Sequence, residues 1–170
     1  LILIWTLSRI LKLDLATGSY LAHLLGGHIP MGLFPIVFFA LAVAVSTMIG
    51  SAWGCIGLLM PIAVPMVAKM TMLPIPVDIS QIPIMFPVLG AIVSGAVVGN
   101  HLSPVSDTIL MSSTSTQAYH GDVIRAQIQF AIPTIFSSAL AFLVAGILMT
   151  MGVAWFLVIM LSLLCGLGIN

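Results

Sequence analysis

The chain has 170 residues, of which 61% are hydrophobic and only 5% charged, with four basic and four acidic side chains and no net charge. Globular domains carry roughly 25% charged residues, so eight charges cannot clothe a water-soluble surface. A soluble enzyme, a disordered chain and a nucleic-acid binder, which needs a basic face, are excluded; a mean hydropathy of +1.31 marks an integral membrane protein.

The placement of charge sets the expected elements. No charged residue occurs in the 54 positions between Asp14 and Lys69, in the 28 between Asp78 and Asp107, or in the 45 after Arg125. A helix needs about 20 apolar residues to cross a bilayer, so these gaps hold two, one and two crossings. With a first span at 1–13, about six membrane segments are expected. That span closes on Arg9 and Lys12, as cytoplasmic span ends do. It has neither a charged leader nor a small-residue cleavage pattern. The chain reads as a piece of a larger transporter or channel, its C-terminal part.

Residues 14–28 read as an interfacial helix and turn, with His23 and His28 at the interface. Spans follow at 31–50 and 54–70, the second carrying Pro61 and Pro65, which disturb a helix. Residues 71–81, with Pro74, Pro76 and Asp78, read as a loop. A Gly- and Ala-rich span covers 82–99, and spans at 126–150 and 153–168 form a closing hairpin. Cys55 and Cys165 lack the spacing of a zinc site and no disulfide framework is expected. The Met residues read as core or lipid contacts.

Two polar interruptions carry the chemistry. In the stretch Gly99-Asn100-His101-Leu102-Ser103-Pro104-Val105-Ser106-Asp107-Thr108, Gly99 and Pro104 are expected to stop the helix. Backbone left unpaired in this way is tolerated at membrane depth only within protein or beside a wet cavity. Transporters use such breaks to aim oxygens at ions. Asn100, Ser103, Ser106, Asp107 and Thr108 supply oxygens suited to a small hard cation. A buried carboxylate binds a proton or a cation, each expelling the other. Asp107 is thus a candidate shared site for Na⁺ and H⁺, or alternatively a cap on a helix that begins at Thr108. His101 is either a proton relay or a structural hydrogen-bond group. The second interruption is Gly50-Ser51-Ala52-Trp53-Gly54. It reads either as an unwound point with breaks at Gly50 and Gly54, lending Thr47, Ser51 and carbonyls to the site, or as a tight turn with Trp53 at the interface. His120, Asp122 and Arg125 read as a local cluster at the start of a span.

These residues resemble the NhaC-type sodium/proton antiporter family. Its Gly-Thr-Ser-Trp-Gly-Thr signature corresponds to Gly50-Ser51-Ala52-Trp53-Gly54-Cys55. Its Gly-Asp-His, Ser-Pro and Ser-Asp-Thr correspond to Gly99-Asn100-His101, Ser103-Pro104 and Ser106-Asp107-Thr108. Met111-Ser112-Ser113-Thr114 is similar to a Leu-Ser-Ser-Thr run, and His120, Asp122, Arg125 and Gln127 match later positions. The likeness covers residues 14–135. Asn100 replaces a family carboxylate, and Ala52 and Cys55 replace hydroxyls. The resemblance implies an all-α, multi-pass integral membrane transporter with interrupted helices, one half of an inverted-repeat fold. The function it implies is Na⁺/H⁺ exchange in the inner cell membrane, with no cofactor beyond the transported ions, no nucleic-acid partner, no enzymatic step, and room for a homo-oligomer. The rival readings are a Na⁺-coupled carrier of a small organic anion or amino acid, and a non-transporting membrane subunit.

Overall fold

The computed structural model describes residues 2–13, 30–71 and 82–151, together with isolated positions 17, 20, 23 and 160. The expected interfacial segment at 14–28, most of the loop at 71–81 and the last span at 153–168 lie largely or wholly outside the described residues. The described residues form helices without strands. These are α1 (Ile2–Leu13), a 3-10 turn (Met31–Leu33), α2 (Phe34–Ile49), α3 (Ala52–Met70), α4 (Met85–Leu102), α5 (Asp107–Thr116) and α6 (His120–Thr150). Among the described residues, four stretches are long and apolar enough to cross a membrane: Met31–Ile49, Ala52–Met70, Met85–Thr116 and His120–Thr150. The third is interrupted at residues 103–106, and α1, with 12 described residues, falls short of a crossing.

Local chemistry explains the ends. Pro35 stands in the first turn of α2, where a missing N–H costs nothing. Gly50 closes α2 in the left-handed conformation, at φ 71°, and Ser51 opens α3 by accepting the Gly54 N–H at 3.3 Å. Two residues therefore turn the chain from one span into the next. Gly54 lies inside α3 and is not a break, because the Ser51 cap has already started the helix. Gly99 likewise does not stop α4, which runs on to Leu102. The stop is Ser103, extended at ψ 125° because the ring of Pro104 disfavours a helical residue before it. The last long helix begins at His120, six residues before the expected start at 126.

α2 and α4 form the most extensively packed pair and sit at the centre. Their approach depends on small residues at a spacing of four. A methyl group on Gly95 would lie 2.6 Å from the Phe39 carbonyl oxygen, and one on Gly99 2.5 Å from that of Val43. Only glycine permits this separation. Side-chain hydroxyls fasten the seam: Ser46 Oγ donates to the Ala96 carbonyl at 2.5 Å, and Thr47 Oγ1 donates to Val43 and Gly99 carbonyls at 2.7 and 3.2 Å. α3 closes one flank through Cys55, Leu59, Ala63 and Met66, all buried. α6 lies across the other, where the Phe39 and Phe142 rings stand 5.4 Å apart.

Candidate functional site: two chain breaks in contact

The α2–α4 seam brings the two interruptions together. A methyl group on Gly50 would lie 3.1 Å from Ser103 Oγ and 2.9 Å from Val105 Cγ2. Residues 50–51 and 103–106 thus form one patch of non-helical backbone between four helix ends. The Gly50–Ser51 stretch is a tight turn between two helices, Trp53 beyond it is 76% exposed, and Gly50 lies against the second break.

Ser103 and Ser106 are fully buried at this patch. Ser103 Oγ accepts the Val105 N–H at 3.4 Å. Ser106 caps α5, its Oγ accepting the Ile109 N–H at 3.3 Å and pairing with Thr108 Oγ1 at 3.1 Å. Ser106, not Asp107, is therefore the cap, and α5 starts at Asp107 itself. A hydroxyl oxygen has two lone pairs, so accepting one N–H leaves a pair for another donor or a cation. Asn100, half-buried in the last turn of α4, has a buried Oδ1 with no hydrogen-bond partner. A buried acceptor without a partner is costly.

Asp107 is exposed in this chain, with an oxygen accepting the Thr108 N–H at 2.8 Å. The burial expected for it is not provided by these residues, because Asp107 stands on the side of the first turn of α5 opposite the buried Ile109. Thr108 is also exposed. His101 is exposed on the last turn of α4 and lines a groove of about 240 Å³ with Gln127, Phe130 and Thr134 of α6. Among the described residues, no three His, Cys, Asp or Glu side chains converge as a metal centre.

Sequence reasoning missed the part played by His120. It does not serve only a cluster at the head of α6. Its Nε2 donates to the Pro104 carbonyl at 2.9 Å, and its Nδ1 lies 3.2 Å from Ser113 Oγ. The left-handed residue Gln117, at φ 53°, reverses the chain between α5 and α6 and makes this return possible. No spacing rule announces a contact of this kind.

The family model for the Na⁺/H⁺ antiporter family matches residues 1–167, nearly the whole chain. The chain belongs to the Na⁺/H⁺ antiporter family. It is a multi-pass membrane chain of a transporter family rather than of an enzyme family. It is also 34% identical over 142 residues to a Haemophilus influenzae protein described as "Uncharacterized protein". That match covers 84% of this chain and 25% of the relative, so the chain spans about a quarter of the relative's length. No solved structure matches it.

Proposed function

We propose that the complete transporter is an NhaC-type antiporter that exchanges Na⁺ for H⁺ across the inner cell membrane. The observation that carries this reading is the contact of the two chain breaks, with the orphaned Asn100 Oδ1 in the helix turn beside them. Helix breaks in contact at membrane depth are the arrangement by which secondary transporters hold small ions. In this reading Asn100, Ser103 and Ser106 contribute neutral oxygens, and Ser51 contributes from the facing break. Asp107 and Thr108 stand at the head of α5. Asp107 contributes the charge and the exchangeable proton, and the remainder of the transporter, including an N-terminal half, completes its surroundings. The ions themselves are the substrates, and no further cofactor enters the cycle.

The mechanism follows from competition. A carboxylate that has lost its proton attracts Na⁺, and a carboxylate that has gained one releases it. If both states expose the site to opposite sides in turn, outward and inward fluxes are coupled. Asn100 stays neutral throughout, so Asp107 is the titrating member of the set.

The test uses the full-length transporter in sealed liposomes with an imposed Na⁺ gradient and a lumenal pH dye. Native protein is expected to move protons against Na⁺, and Asp107→Asn to abolish the movement. A native protein that moves no protons removes the exchange reading. An Asp107→Asn variant that matches native protein removes Asp107 from the coupling site. Asn100→Ala is expected to weaken the apparent Na⁺ affinity while leaving some exchange.

A further inference from the structure

We propose that the groove between α4 and α6 is the seat of a membrane-spanning helix supplied by the remainder of the transporter, and that this helix brings a hydrogen-bonding side chain to Gln127 and His101. Val98 and His101 of α4 form one wall, and Gln127, Phe130, Ala131 and Thr134 of α6 form the other. The groove holds about 240 Å³. A cavity of about 150 Å³ takes up one benzene, so this one takes more than a single side chain.

α6 is the least covered of the long helices. Among the described residues, 17% of its span is buried, against 33–39% of the other three. Its two sides differ. Ile128, Ile132, Phe136 and Leu140, each four residues from the next, form an exposed apolar stripe that suits lipid. Gln127, Ala131 and Thr134, spaced by four and three, form a second stripe on the other side of the helix.

The polar lining decides what covers that side. The Thr134 hydroxyl donates to the Phe130 carbonyl at 3.0 Å and is satisfied within α6. The half-buried Gln127 amide and the exposed His101 imidazole make no hydrogen bond among the described residues. An acyl chain would fill the volume but leave both groups without a partner, which is costly away from water. A second copy related by a two-fold axis would set the same groove against itself, and two concave surfaces do not close to native packing density. The span expected at 153–168 has Ser162 as its single hydroxyl, with no amide side chain, carboxylate or cation. The chain spans about a quarter of its relative's length, so the larger part of such a transporter lies outside it. In hydrocarbon an all-α remainder crosses as helices, and side-chain hydrogen bonds are one means by which such helices associate. The seat does not depend on which ion is carried, so the exchange assay above and the test below fail separately.

Thr134→Cys and Ile132→Cys, in a full-length transporter with its native cysteines replaced, provide the test. Two residues apart on a turn of about 3.6, they point to nearly opposite sides of α6. Each is coupled to benzophenone maleimide in liposomes, irradiated, run on a denaturing gel and digested for mass spectrometry. At position 134 the expected product is a cross-link within a single polypeptide to a peptide outside residues 1–170. At position 132 it is a lipid adduct. Lipid adducts alone at 134, a cross-linked dimer, a partner peptide within residues 1–170, or a label left unreacted in water overturns the seat. Gln127→Leu reads the hydrogen bond without a label. It is expected to lower the thermal midpoint of the full-length transporter by a few degrees, because the group that faced Gln127 is left unpaired. An unchanged or raised midpoint, as at a lipid-facing position, overturns the polar partner.

Discussion

Gly50 is constrained twice. Its φ of 71° lies where residues with a Cβ are strained, and the space beside it is already taken by Ser103 Oγ and Val105 Cγ2. The first constraint alone costs an L-residue about 1–2 kcal/mol. The second adds a clash that relaxes only by moving the other break. Gly50→Ala is therefore expected to lower the thermal midpoint of the full-length transporter and to reduce Na⁺-driven exchange. Gly50→Asn tests the two effects separately. Asn tolerates the left-handed region better, so it relieves the backbone strain while keeping the clash. If Gly50→Asn behaves as badly as Gly50→Ala, contact with the second break dominates. If it restores native behaviour, conformation dominates. Both melting by scanning fluorimetry and liposome exchange read the answer.

At the scale of elements, the α2–α4 seam is the structural condition for the site. Gly95 and Gly99 present bare backbone to α2, and each added methyl would meet a carbonyl oxygen that cannot swing aside. A third glycine on α4, Gly90, differs, since a methyl there meets only Phe142 Cε1 at 3.7 Å, an ordinary contact. The pair makes a controlled experiment. Gly99→Ala is expected to push α4 from α2, break the Thr47–Gly99 and Ser46–Ala96 hydrogen bonds and lower the thermal midpoint markedly. Gly90→Ala is expected to be neutral or to stabilise, because alanine is favoured over glycine in a helix interior by about 1 kcal/mol. Equal behaviour of the two variants would show that the seam is not tightly packed. The same comparison explains what was legible in the sequence. Apolar run length located α2 and α3, and of the four expected breaks Gly50 and Pro104 stand at or beside a real one. Gly54 and Gly99 were misread because glycine has two uses, ending a helix or letting another helix approach, and a single sequence does not separate them. The spacing of Gly95 and Gly99 on a helix carries that second signal. The site was half legible: residue types marked the polar stretch at 100–108, whereas the contact between breaks and the His120 bridge depend on how helices distant in sequence cross.

Across the whole molecule, exposure is divided between incompatible surfaces. α6 presents Phe130 and Phe136, 78% and 69% exposed, while the head of α5 presents the Asp107 carboxylate. Aromatic side chains are at home against lipid. A carboxylate at the centre of a bilayer costs roughly 2.5–3.5 kcal/mol on insertion scales, so Asp107 belongs against protein or a water-filled cavity. The neighbouring hydroxyls of α5 do not share that restriction, since Ser115 and Thr116 donate to the Ser112 carbonyl and so satisfy their own polarity. The surface around Asp107 is thus the one that the remainder of the transporter, or an aqueous path, has to cover. In a full-length transporter with its native cysteines replaced, Asp107→Cys is expected to react with a charged, membrane-impermeant thiol reagent. Phe136→Cys is expected to resist the reagent, and a spin label there to relax faster with oxygen, which concentrates in lipid. Fast aqueous labelling at position 136 would instead place α6 on the water-filled side. Inert cysteines at both positions, with no oxygen effect at 136, would show both faces buried against protein, and the ion path proposed above would then have to reach Asp107 from the Gly50–Ser103 contact.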